Sequence, residues 1–169
     1  MKSTLAKLVA TVCGAGLSPV APGTVGSLVA LPSAYALHWL GGFPLLLLAT
    51  VIGFFKGWWA TAEYVKQPGA SEDPSEVVVD ELIGQWIALL PLSFGLWHAG
   101  AAPHVFPWPG ILVAFLFFRL FDIWKVGPVG WADRRGDPLG VMLDDVIAGF
   151  FAALDVLIGA AVSHGMLGL

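Results

Sequence analysis

Acidic side chains are scarce in this chain, yet five of them fall in three short stretches: Asp80-Glu81, Asp122 and Asp144-Asp145. Carboxylates gathered at one place repel one another unless a cation or basic groups stand between them. Their oxygens are hard ligands of the kind that suits Mg²⁺, which is held by one or two carboxylates together with water and substrate phosphate. Basic side chains accompany them. Arg119, Asp122 and Lys125 are spaced i, i+3, i+6 along one helical face, and Arg134 and Arg135 follow in a loop. Cations beside such a centre neutralise a phosphate and the charge of its transition state. The segment GLSPVAPGTVGS at 16–27 adds Thr24 and Ser27 at the start of a helix, where free N–H groups favour an anion. These residue types suit a Mg²⁺-dependent site that processes a phosphate on a lipid headgroup. Each stretch also has a plainer reading: acids in a first helical turn offset the dipole, hydroxyls cap, and Arg119 pairs with Asp122.

The elements that must carry these residues are membrane helices. Of 169 residues, 57% are hydrophobic and 12% charged, about half the ~25% charged share of a soluble domain. No charged side chain occurs in 8–55 or in 82–118, and each run exceeds the ~20 apolar residues that cross a bilayer. The expected fold is an all-α polytopic membrane bundle of four to five spans, forming one domain over 1–169. The spans are expected at 25–40, bent by Pro32, then 43–61 after a turn at Gly41-Gly42, 82–97, 110–124 and 144–162. Residues 4–17, short and broken by glycine, read as an interfacial or re-entrant helix. The acidic, turn-rich stretch 67–79 reads as a soluble loop.

Nineteen of the twenty charges lie in 2–7, 56–81 and 119–145, and Asp155 is the exception. Five spans with the N-terminus inside put all three groups on one side, while the opposite loops carry no Lys or Arg, as a cytoplasmic charged face requires. Tryptophans near the span ends fit an aromatic belt. Other classes fare worse. No basic tract serves nucleic acid, and no obligate protein partner is expected. Cys13 alone allows neither an internal disulfide nor a cysteine zinc site. His38, His98, His104 and His164 fall on the opposite side, and a GxSxG serine motif is absent. A cleaved leader built on Lys2 and Lys7 competes poorly with the Gly/Pro-rich segment that follows. A transporter or channel with an acidic cytoplasmic mouth is the main rival, and it would place ionisable residues deeper in several spans, where only Asp155 qualifies.

In order and content, GLSPVAPGTVGSL at 16–28, VDELIGQWIAL at 79–89, RLFDIWK at 119–125 and GVMLDDVIAG at 140–149 resemble the phosphatidylglycerophosphatase A family. The resemblance implies a bacterial inner-membrane enzyme that removes the terminal phosphate of phosphatidylglycerophosphate at the cytoplasmic leaflet, with Mg²⁺ as cofactor and an anionic phospholipid as substrate. It implies Asp80, Glu81, Asp122, Asp144 and Asp145 as the essential acids. The expected roles are Asp80, Glu81, Asp144 and Asp145 on the metal, Lys125 on the phosphate, and Asp122 orienting Lys125 or acting as base. Thr24, Ser27, Arg119, Arg134 and Arg135 are expected to bind substrate. The chain departs from the family where Val126 follows Lys125, and where 136–140 reads GDPLG without a Gly-Gly pair.

Overall fold

The computed structural model describes residues 2–67, 69 and 74–167, so the centre of the acidic loop at 67–79 lies outside the described residues. Those residues form helices and turns without a strand: α1 (Lys2–Ala10), a 3₁₀ turn (Ala15–Leu17), α2 (Pro22–Tyr64), α3 (Val79–His98), α4 (Trp108–Trp124), α5 (Pro128–Asp133) and α6 (Pro138–Leu167). Three stretches are long and apolar enough to cross a membrane: α2, α3 and Pro138–Ser163 of α6.

α2 is one element by hydrogen bonding but not by direction. Gly42, at φ 64 and ψ −158, breaks it where the sequence predicts a turn. Before the break, α2 runs alongside α3 in the same sense. Trp86 Nε1 donates to the Ala30 carbonyl at 3.2 Å, His38 meets Ser93 at 2.7 Å, and Gly42 abuts Trp97. After it, the pairing reverses, with Gly53 against Ile83 and Gly57 against Val79. Both ends of α2 therefore lie at the end of the bundle where α3 begins.

α3 is the central helix, packed on α2, α4 and α6. Its crossing with α6 is a contact of backbones. A Cβ on Gly84 would lie 2.6 Å from the Asp145 carbonyl oxygen, and one on Gly149 would land on the carbonyl of Gly84. Small residues of this kind let membrane helices approach closely, and here they draw Asp80 and Asp145 together.

The last helix starts six residues earlier than expected. The reason is local: Asp137 Oδ1 accepts the Gly140 N–H at 2.6 Å, and Pro138 supplies the preset first position. Asp144 and Asp145 thus lie two turns inside α6, and the capping explanation fails for them. Arg135 pairs with Asp137 at 2.8 Å. That bond first, then the Gly140 N–H, holds the Asp137 carboxyl below its ordinary range. A lowered folded value means that this stabilisation is complete above the unfolded pKa of ~3.9 and is lost as pH falls through the folded one. Asp137→Ala should therefore destabilise the protein by about 0.5–2 kcal/mol near pH 7. In thermal unfolding in detergent, the gap from the parent should narrow as pH falls through the lowered folded pKa of Asp137.

Candidate active site

At the charged end of the bundle, the start of α2, residues 74–77 and helices α3, α4, α5 and α6 line a cavity of about 310 Å³. Asp80, Glu81, Arg119, Asp122, Lys125, Asp133, Asp144 and Asp145 all line it, so the six side chains expected to do the chemistry share one wall. Asp80 and Asp145 are 7% and 3% exposed. One carboxylate oxygen from each of Asp80, Glu81 and Asp145 lies within 4.8 Å of the others. Asp145 is also within hydrogen-bonding reach of Asp122, as Asp80 is of Glu81. Glu81 Oε2 and Asp145 Oδ1 are buried without a hydrogen-bond partner among the described residues. Buried anionic oxygens are normally satisfied, and these are hard donors converging with no thiol or imidazole among them. The set fits a hard divalent cation.

Asp144 faces the same cavity. Its carboxylate takes the Lys125 ammonium at 3.1 Å, and Asp133 takes it from the other side. Lys125 is oriented by these two acids, whereas Asp122 is engaged with Arg119. Sequence reasoning did not select Asp133. It reaches Lys125 only because the chain reverses between them, at Lys125 itself (φ 46) and at Gly127 (φ 57), before α5 begins. A left-handed residue at a helix end is ordinarily glycine. Lysine here stores strain of the sort found at functional positions.

Burial alone would lower the Lys125 pKa, but the bond to Asp133 and the charge of Asp144 outweigh it and raise the value. A raised pKa keeps the group charged, its contribution full below ~10.4 and lost only as pH rises through the higher folded value. Lys125→Met should lower the rate about 10²-fold, as removal of one preorganised charge donor does. The deficit should be the same factor from pH 6 to pH 9 in steady-state assays.

The N-terminal segment meets side chains of the cavity wall, and its Pro22 and Gly23 line the cavity. A Cβ on Gly23 would collide with the Glu81 carboxylate and lie 3.5 Å from Arg119 Nη1. The anion at the start of α2 is therefore a side chain of α3. Ser27 is fully buried; it donates to the Gly23 carbonyl at 2.9 Å and accepts from Arg119 at 3.4 Å, so it braces Arg119 behind the wall. Thr24, Arg134 and Arg135 do not line the cavity. Arg135 lies over the Trp131 ring, 5.9 Å from its centroid. Asp155 is off the wall, ten residues beyond Asp145, or about 15 Å at helical rise. His38 is bonded to Ser93 toward the far end, and the His164 side chain lies outside the described residues.

The family model described as phosphatidylglycerophosphatase A matches residues 8–160. The chain is 36% identical over 147 residues to phosphatidylglycerophosphatase A of Escherichia coli K12, covering 86% of this chain and 78% of that protein. It is 33% identical over 161 residues to phosphatidylglycerophosphatase A of Haemophilus influenzae, covering 95% and 90%. It is also 40% identical over 155 residues to a Bacteroides thetaiotaomicron protein provisionally assigned as a phosphatidylinositol-3-phosphatase, covering 89% and 90%. No solved structure matches the chain.

Proposed function

Because the chain belongs to the phosphatidylglycerophosphatase A family, and is thereby a membrane phosphatase, we propose that it hydrolyses phosphatidylglycerophosphate to phosphatidylglycerol and phosphate with Mg²⁺ as cofactor. The observation that carries this reading is the cavity in which Asp80, Glu81 and Asp145 converge beside Lys125. The two halves of α2, with α3, α4 and α6, make five crossings of a bacterial inner membrane. The cavity then faces the cytoplasm, on the side that holds the lysines and arginines.

Asp80, Glu81 and Asp145 would hold the cation. When bound, Mg²⁺ supplies charge neutralisation at the phosphoryl oxygens and a more acidic water. The Lys125 ammonium has three N–H groups. Asp133 and Asp144 take two, which leaves the third for a phosphate oxygen in the cavity. Asp122, fixed by Arg119, accepts the proton of the attacking water. Arg134 and Arg135, outside the cavity, meet the anionic membrane surface.

The Bacteroides relative makes the headgroup the open choice, since a phosphatidylinositol 3-phosphate and a phosphatidylglycerophosphate are both lipid phosphomonoesters. The deciding assay is phosphate release by the detergent-solubilised protein from each lipid, with Mg²⁺ and with a chelator. Metal-dependent release with kcat/KM higher for phosphatidylglycerophosphate is expected. Preference for the inositol lipid would overturn the substrate, and equal release in chelator would overturn the metal.

A further inference from the structure

Gln85 is fully buried, and neither atom of its amide has a hydrogen-bond partner among the described residues. An amide offers two donor hydrogens and an acceptor oxygen, and interior groups of this kind are nearly always paired. Two more unpartnered atoms belong to residues of the cavity wall: Glu81 Oε2 and Arg119 Nε. Position brings the three residues together. Gln85 follows Glu81 by four residues, so the two side chains share one face of α3 with Cβ atoms about 5–6 Å apart. Glu81 Oε1 and Arg119 Nη1 both crowd the space beside Gly23. α3 and α4 run antiparallel, with Gly84 against Phe118 and Leu92 against Gly110. That register sets Gln85 level with the turn that carries Arg119. Trp86, the next residue, is tied to Ala30 of α2. Gln85 therefore lies in the junction of α2, α3 and α4, one turn beneath Glu81 and behind the cavity wall.

The unpaired atoms are complementary. A carboxylate oxygen only accepts, a guanidinium Nε–H only donates, and an amide does both without adding charge. We propose that Gln85 is a positioning residue of the acidic centre, its amide linked through buried water to Glu81 Oε2, toward which it donates, and to Arg119 Nε, from which it accepts. The consequence reaches both halves of the site. Glu81 is one of the three carboxylates that converge, and Arg119 fixes Asp122 through their salt bridge. A neutral amide locks the acid in its cation-facing rotamer and stops Arg119 from folding over to neutralise it. This role rests on the reading that Asp80, Glu81 and Asp145 bind a divalent cation; it does not depend on which lipid is cleaved.

The test uses full-length protein in detergent, with Mn²⁺ as the probe. Gln85→Leu keeps the volume and removes both hydrogen-bonding functions. The Mn²⁺ dissociation constant, read by calorimetry or electron spin resonance, should rise about 10- to 100-fold, the range for groups that hold metal ligands in place. The thermal midpoint without metal should stay within a few degrees, and kcat should fall with KM little changed. The ¹H–¹⁵N resonance of Arg119 Nε should also move in metal-free Gln85→Leu protein. Gln85→Met serves as the second variant should Leu not fold. Parent-like Mn²⁺ affinity together with an unmoved Arg119 resonance in a folded variant overturns the proposal. A parent protein that binds Mn²⁺ but releases no phosphate from either lipid overturns the proposed function instead, while weaker Mn²⁺ binding in the variant would still support the role of Gln85.

Discussion

Replacing Asp145 by Asn is expected to lower kcat/KM on a lipid phosphomonoester about 10³-fold, or about 4 kcal/mol of transition-state stabilisation. The change is small in volume and large in charge. Asp145 is almost wholly buried, has an oxygen with no partner among the described residues, and converges with Asp80 and Glu81. Asn exchanges an anionic oxygen for an NH₂ group that cannot ligate a hard cation and would point donor hydrogens at the place a cation takes. Stability supplies the discriminating measurement. In the metal-free protein, four neighbouring acids repel one another, so Asp145→Asn should leave the thermal midpoint unchanged or raise it. The parent should gain stability with added Mg²⁺, because a ligand that binds only the folded state stabilises it by mass action. The variant should gain none. Full activity in the variant, or equal Mg²⁺ stabilisation of both proteins, would sink the assignment of Asp145 to the cation.

Gly149→Ala should be nearly as damaging although it touches no charged group. The new Cβ falls on the carbonyl of Gly84. Because that obstacle is backbone, no rotamer change can relieve it and α3 must part from α6. Overpacking of this kind costs about 1–3 kcal/mol. The functional loss follows from position: Asp80 lies one turn from Gly84, and Asp145 one turn from Gly149. A displacement near 1 Å at the acids should reduce the rate about 10²-fold, with Mn²⁺ binding weakened in parallel. Gly159→Ala in the same helix is the control, since no atom of the described residues lies within 4 Å of its Cβ position. It should keep parent activity and a thermal midpoint no lower, given the ~1 kcal/mol helix preference for alanine. Equal behaviour of the two variants would show that the crossing does not hold the site together.

Much of this arrangement was legible in the residues, because charge is so costly in a membrane that its location reports both topology and chemistry. Asp80, Glu81, Asp122, Lys125 and Asp145 could be chosen for that reason, and the cavity contains them all. The turn at Gly42 was legible from a glycine pair between two apolar runs. Other features depend on three-dimensional closure. The Asp133–Lys125 pair needs the reversal at Lys125, which no local preference of lysine announces. Ser27 looked like a phosphate ligand because helix starts bind anions, and that signal could not reveal that Glu81 already holds the position beside Gly23. Gly149 lay in an apolar run, where nothing marks one glycine as a crossing point and another as open. The early start of α6 was missed although Asp137-Pro138 is a helix-start signal, because the acids at 144–145 offered a competing one.

The reversal of α2 at Gly42 also bears on how the protein is made. Under the proposed topology, the uncharged residues 8–55 leave the ribosome before α3 is complete, and the turn that must pass through the bilayer is two glycines without a side chain to dehydrate. Such a hairpin can enter the membrane as one unit and wait there as a preformed groove. α3, threaded next, slots into it with Trp86 and Ser93 finding Ala30 and His38. Assembly of the acidic centre is then the last event of biosynthesis, because its final carboxylate, Asp145, arrives only with α6.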